Sequence, residues 1–320
     1  MRKATKIWLV TAASLILIGC VIFAGVMSIV KWDFSKLSTV KYETNNYEID
    51  ESFEDISIKT DTSDIIFAVS EDGKCRVKCY EEKKAKHTVS VRDGVLVIEV
   101  KNNERWDDYI GINFDTPKIT VYLPKTEYTS LIVNGKTGTI ILPDEFKLKN
   151  VDVSVSTGAV NVFADASEKI EIQTTSGNIR VGDISAGTLE LSVSTGKVTV
   201  SGVTCKGDIS VGVTTGNAYL TDIACKSVIS SGSTGGILLN NVVAAEKFSI
   251  KRSTGNIKFD GCDAAEIFAE TSTGDVKGRL LTDKVYITKT SVGKINVPNT
   301  TTGGRCEIKT DTGDIEIKTD

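Results

Sequence analysis

Two patterns of apolar residues divide the chain. The first is a continuous run: Ile7 to Val30 holds 24 residues without a charge. As a helix rising ~1.5 Å per residue it would span ~36 Å, enough for a ~30 Å hydrocarbon core with some tilt. Arg2, Lys3 and Lys6 precede the run, and Lys31, Asp33 and Lys36 follow it. The basic excess on the short side predicts a cytoplasmic tail at 1–6, a transmembrane helix at 7–30 and the rest of the chain outside. A cleaved signal peptide has a shorter apolar core, ~7–15 residues. Leu17-Ile18-Gly19-Cys20 offers an alternative, a lipoprotein processed at Cys20. The largely apolar stretch Val21 to Val30 beyond that cysteine favours the anchor.

The second pattern is alternation. A Thr-Gly, Ser-Gly or Val-Gly step recurs at Gly138, Gly158, Gly177, Gly196, Gly216, Gly235, Gly255, Gly274, Gly293 and Gly313, every 19 or 20 residues. Two and four residues after the glycine the side chains are mostly apolar, as in Val160/Val162, Ile179/Val181 and Ile315/Ile317. Five and seven residues before it another pair recurs, as in Val151/Val153, Ile170/Ile172 and Leu189/Leu191. Period-two alternation on both sides of a turn predicts two half-buried strands per repeat. Such a unit buries its apolar face only by stacking on its neighbours, which is the logic of a β-solenoid. At ~4.8 Å per coil, nine steps make a rod section of roughly 43 Å. The glycine suits a corner that needs positive φ or close backbone approach.

One copy lies upstream: Ile58 to Ile65 nearly repeats Ile308 to Ile315. Between them, Cys75 to Tyr80, His87 to Val91, Val95 to Val100 and Lys118 to Leu123 read as longer strands, and Asp93-Gly94 as a hairpin turn. The expected organisation is a linker at 31–50, an N-terminal β region at 51–125 covering one end of the rod, and solenoid repeats at 126–320. The fold class is all-β: a single-stranded right-handed parallel β-solenoid with an N-terminal sheet and one transmembrane helix.

The recurring Ser-Thr-Gly-x-Ile/Val steps, with Ile119-Thr120-Val121-Tyr122-Leu123-Pro124 just before the regular repeats, resemble the bacterial putative-adhesin β-strand-repeat family. The resemblance covers about residues 50–320. It implies a solenoid behind an N-terminal membrane segment. It implies no activity, and the family has no functional residues to carry over.

Charge and candidate chemistry narrow the picture further. A formal net charge of -4 leaves no basic footprint for nucleic acid. The one histidine, His87, cannot supply a multi-His metal site, and no CxxC zinc pattern occurs. His87 alternates with Val89 and Val91 and reads as structural. Of seven cysteines, Cys205 and Cys225 fall at the same repeat position, ~4.8 Å apart in adjacent coils, so a disulfide is geometrically allowed. Ala244 and Ala264 occupy that position in the next coils, which favours small buried thiols instead. Asp165, Asp183, Asp222 and Asp260 gather near one corner without strict register and read as turn residues. The coils have almost no insertions, so they lack the loops from which a polysaccharide-cleaving groove is built. An enzyme therefore ranks last, and no catalytic, cofactor or metal residue is assigned.

Surfaces remain. Thr157, Thr195, Thr215, Thr234, Thr254, Thr273 and Thr312, immediately before the glycine, have inward parity. Ser156, Thr175, Ser194, Thr214, Ser233, Ser253, Ser272 and Ser291 face outward. Ile229, Phe268 and Ile287 form one outward apolar column, and Tyr219 with Leu238 another. Trp106 and Tyr109 sit in a loop on a rigid scaffold, where recognition is common. Asp311, Asp314, Glu316, Lys318 and Asp320 crowd the last coil and would guard its open edge, which predicts a monomeric ectodomain. The expected role is a non-catalytic envelope module, bound to the membrane by its helix. It would contact a cell-wall glycan through the hydroxyl and Trp106 surfaces, or a membrane protein of an envelope-stress system through the apolar column or the anchor helix.

Overall fold

The computed structural model describes residues 3–33, 40–101 and 115–319. Helix α1, Lys3–Ile29, is apolar all round, and the stretch Thr5–Ile29 is long and apolar enough to cross a membrane. It ends in a turn with Lys31 and Trp32 in the left-handed region, φ 56° and 59°, closed by Trp32 N–H donating to Met27 O at 2.8 Å. Trp32 packs edge-on against Phe23, with centroids 6.5 Å apart.

Among the described residues twenty-one strands follow, forming a β-solenoid of about ten turns. The N-terminal strands are β1 (Tyr42–Ile49), β2 (Asp55–Thr62), β3 (Asp64–Val69), β4 (Cys75–Glu82), β5 (His87–Arg92), β6 (Val95–Val100), β7 (Lys118–Leu123), β8 (Glu127–Thr137) and β9 (Ile140–Leu142). The regular coils contain β10 (Lys147–Thr157), β11 (Val160–Val162), β12 (Asp165–Cys205), β13 (Asp208–Thr215), β14 (Ala218–Thr234), β15 (Ile237–Thr254), β16 (Ile257–Thr273) and β17 (Val276–Leu280). The last strands are β18 (Lys284–Val292), β19 (Ile295–Asn296), β20 (Gly304–Thr312) and β21 (Ile315–Thr319). β1 falls within the stretch expected to be linker. Its Glu43-x-Asn45-x-Tyr47-x-Ile49 alternation puts one set of side chains on the inner side, and β1 pairs antiparallel with β4.

Coils stack parallel and in register, Val198 on Ala218 on Ile237 on Ile257 for example. Their inward side chains make one continuous apolar column, nearly all under 5% exposed. At the first corner every repeat glycine has φ between 117° and 154°. A Cβ on Gly196 would lie 1.7 Å from Gly177 O, and on Gly177 1.7 Å from Gly158 O. No other residue fits that approach. The next residue secures the same corner when it is Asn or Asp. Asn178, Asn217, Asn256, Asp275 and Asp314 each accept, through the side-chain oxygen, a backbone N–H of the adjoining coil at 2.8–3.0 Å. A second corner explains the drifting aspartates. Asp183, Gly202, Asp222, Asn241 and Gly261 hold φ of 53–64°, a left-handed turn that Gly, Asn and Asp tolerate best.

The coil order departs from the chain order at both ends. β2–β3 lies between β8–β9 on one side and β6–β7 on the other. At the far end β20–β21 lies between β16–β17 and β18–β19. The first and the last coil in sequence are thus each tucked one layer in, where two neighbours hold them against fraying. The charged coil Asp311–Lys318 is therefore not the open edge. Asp314 bonds Lys294 N–H in the coil above it, and the outer layer is β18–β19. At the opposite end β4 and β5 run antiparallel to β7 and β6, and with β1 they extend the sheet.

Candidate functional site

β4 alternates sharply. Cys75, Val77, Cys79 and Glu81 face the core, while Arg76, Lys78 and Tyr80 face out. The antiparallel register sets the outward side chains of β1, β4 and β7 in three rungs: Thr44–Tyr80–Lys118, Asn46–Lys78–Thr120 and Glu48–Arg76–Tyr122. Two adjoining depressions, of about 540 and 360 Å³, share Lys78 and Tyr122 on this face. The aromatic rings are fixed. Tyr42 stacks on Tyr80 at 5.0 Å, and the Arg76 guanidinium lies 6.0 Å over Tyr122. Tyr80 donates to Asp115 Oδ2 at 3.2 Å; partial desolvation and that carboxylate raise its pKa. Arg76 pairs with Asp72 at 3.1 Å. Lys78 and Lys118 have no carboxylate within ion-pair distance among the described residues. The face therefore offers flat rings at two ends, with Lys78 between them and Lys118 level with Tyr80, and the carboxylates Glu48, Glu71 and Asp115 on the rims of the same depressions.

Behind it lies a buried polar chain. Glu81 Oε2 meets His87 Nδ1 at 2.6 Å and accepts the His87 backbone N–H at 2.6 Å; Asn45 donates to Glu81 Oε1 at 2.6 Å. His87 Nε2 is 3.1 Å from Thr60 Oγ1, and Tyr47 donates to His87 O at 2.9 Å. Burial pushes the Glu81 carboxyl up, but the hydrogen bonds from His87 and Asn45 outweigh it, and the net direction is down. Hydroxyl, imidazole and carboxylate stand in the order of a nucleophile relay. Thr60, His87 and Glu81 are 4%, 4% and 1% exposed, so no substrate reaches that hydroxyl from solvent.

The contact residues expected from the sequence fare unevenly. Trp106 and Tyr109 lie outside the described residues. Tyr219 and Leu238 are neighbours on adjacent coils, half-buried. Ile229, Phe268 and Ile287 are not one column. Ser249 separates Ile229 from Phe268, and Glu307 separates Phe268 from Ile287, because the last coil is intercalated. Arg305 covers the Phe268 ring at 5.5 Å. Ile287 sits on the outermost strand, 47% exposed beside Val285, with Val292 and Ile295 also exposed. The threonines before the glycines point outward, against their expected parity. The inward column stops three residues before the glycine, at Val155, Val193 and Val213, and the turn then exposes both following residues. Cys205 and Cys225 are buried free thiols, and burial first, then Cys205 and Asp208, pushes the Cys225 thiol up to about 12. The Tyr80–Lys78–Tyr122 face was missed. Its signal was present in Arg76-x-Lys78-x-Tyr80 and Lys118-x-Thr120-x-Tyr122, but only the register of β4 against β7 joins them.

Two family matches, over residues 53–212 and 204–320, are to the toastrack domain DUF4097. The chain belongs to the toastrack family. Solved structures resemble it over most of their length. A putative adhesin from Parabacteroides distasonis is 12% identical, with a TM-score of 0.50, and the match covers 87% of this chain and 98% of that one. A putative adhesin from Bacteroides fragilis is 18% identical at a TM-score of 0.45, covering 87% and 97%. A putative lipid binding protein from Parabacteroides distasonis is 15% identical at 0.47, covering 86% and 97%. No curated protein matches. At 12% identity the first of these supports the fold alone.

Proposed function

We propose that this toastrack chain is a membrane-anchored, extracytoplasmic, non-catalytic binding module whose ligand is an anionic envelope glycan. The observation that carries the reading is the outer face of β1, β4 and β7. Tyr80 and Tyr122 are four residues and one strand apart across the paired register, roughly 14 Å by strand geometry. An aromatic ring packs well on the apolar C–H face of a sugar. Lys78 and Lys118, which form no ion pair among the described residues, suit carboxylate or phosphate groups along the polymer. Two fixed rings and two point charges hold a chain without bond-breaking machinery. The anchor is α1, with Arg2, Lys3 and Lys6 kept inside by the positive-inside rule and Trp32 suited to the opposite interface. The relatives described as putative adhesins are consistent with a binding role.

A glycan array probed with the full-length protein in neutral detergent tests this. Retention of acidic polysaccharides that Tyr80→Ala with Tyr122→Ala abolishes is the expected result. Equal retention by the variant would overturn it.

A second reading, partnership with a membrane protein, is favoured by the bare edge of β18. That strand exposes Val285 and Ile287 and, among the described residues, pairs along one side only, with β20, so its other edge is a template for strand addition. Cross-linking of a membrane partner that Ile287→Lys eliminates would support that reading over the first.

A further inference from the structure

We propose that Cys79, Glu81 and His87 form a binding site for a zinc-class divalent cation, which locks the N-terminal sheet to the first coil. Cys79 and Glu81 are two apart on β4 and face the same side; His87 opens β5 and folds back over them. The sulfur, carboxylate oxygen and imidazole nitrogen all lie within 4.8 Å of one another, and all three residues are buried. Among the described residues, no other three Cys, His, Asp or Glu side chains come so close.

Three features point to a cation rather than to a polar knot alone. First, the donor set is mixed. Thiolate, imidazole and carboxylate are the ligands that borderline-soft divalent ions take, and zinc above all. Second, the charges cancel. One thiolate, one carboxylate and a neutral imidazole balance a dication, so a neutral site would replace a carboxylate buried at 1% exposure beside a thiol. Third, the outer shell is already built. A metal on Nδ1 leaves Nε2–H to donate to Thr60 Oγ1, which stands 3.1 Å away. Asn45 holds the other carboxylate oxygen at 2.6 Å. Ligating histidines and carboxylates ordinarily carry such partners. The present 2.6 Å contact between Glu81 and His87 would open by about an ångström as both turned to a metal at ~2.0–2.2 Å. Ligands and supports come from β1, β2, β4 and β5, so the ion would bind the sheet over the end of the rod.

The test uses the full-length protein in detergent, reduced, stripped with chelator and titrated with Co²⁺. Expected is a near-ultraviolet thiolate-to-cobalt absorption saturating at one equivalent, displaced by Zn²⁺, and lost in Cys79→Ala. Asn45→Ala should weaken Co²⁺ binding by about 10- to 100-fold, the usual effect of removing an outer-shell partner. Absence of the band in the unmodified protein would overturn the proposal, whatever the folding of the variants. A band of equal intensity in Cys79→Ala would also overturn it, by placing the metal at another cysteine.

Discussion

Intercalation of the last coil makes a geometric prediction that paired cysteines can read. In the structure Phe268 stands opposite Glu307, and Glu307 opposite Ile287, on three successive outward-facing strands. Neighbouring strands are about 4.8 Å apart, so the Cα atoms of 268 and 307 fall inside the 4.4–6.8 Å range of a disulfide. Residues 268 and 287 are two layers apart, roughly 9.6 Å, and outside it. Stacking in chain order would reverse this, placing 287 directly against 268 and 307 two layers away. Phe268→Cys with Glu307→Cys should therefore oxidise to an intramolecular disulfide under mild conditions. Phe268→Cys with Ile287→Cys should remain reduced. The native thiols beyond the helix are buried and offer little competition. Peptide mapping by mass spectrometry after blocking free thiols gives the yields. Efficient closure of the 268–287 pair, with none of the 268–307 pair, would refute the intercalated order.

Three further perturbations follow from the packing. Gly196→Ala places a Cβ 1.7 Å from Gly177 O at φ 151°, and should cost more than about 4 kcal/mol in thermal or denaturant unfolding, whereas Gly212→Ala, with nothing nearer than 3.6 Å, should cost under about 1 kcal/mol. Arg252 is buried at 2% exposure, and burial lowers its pKa to about 10; among the described residues Nε has no partner and the guanidinium donates to Ser230 Oγ and Lys251 O. Arg252→Met should raise stability by ~1–3 kcal/mol, since an apolar side chain of similar length removes a buried charge without a carboxylate partner; a drop in melting temperature would contradict this. Gly232→Ala should destabilise by more than about 2 kcal/mol, because its Cβ would lie 2.4 Å from both the Val213 carbonyl oxygen and Arg252 Nη1, and Arg252→Met should rescue only the side-chain part of that loss.

The architecture was legible because its causes are periodic. A glycine every 19 or 20 residues, flanked by pairs of apolar residues, leaves stacked two-strand coils as the arrangement that buries every pair. The upstream copy at 58–65 marked the first coil for the same reason. Layer order was not legible. The coils are similar enough that Ile308 could stack on Ala269 or on Thr288, and in fact it does both. Nothing local in β18 or β20 says which is outermost. Parity failed at Thr195 and its equivalents because the strand turns before the glycine, and a corner breaks the alternation. Asp183 and Asp222 were recognised as turn residues, but their left-handed backbone emerged only from the stack with Gly202 and Asn241. The candidate site was hidden for a simpler reason. Tyr80 and Tyr122 are forty-two positions apart, and antiparallel pairing of β4 with β7 is a long-range choice that no periodicity encodes.

Charge reversal on the outer face of the N-terminal sheet tests the binding proposal most directly. Full-length protein in detergent micelles is titrated with an acidic envelope polysaccharide and with a neutral one of equal length, at low and at physiological salt. The account predicts binding of the acidic polymer that weakens as salt rises. Lys78→Glu with Lys118→Glu should reduce it at least about tenfold, ~1.4 kcal/mol, with an unchanged melting temperature. Acidic and neutral polymers bound alike, or a variant that binds as tightly as the unmodified protein, would contradict it.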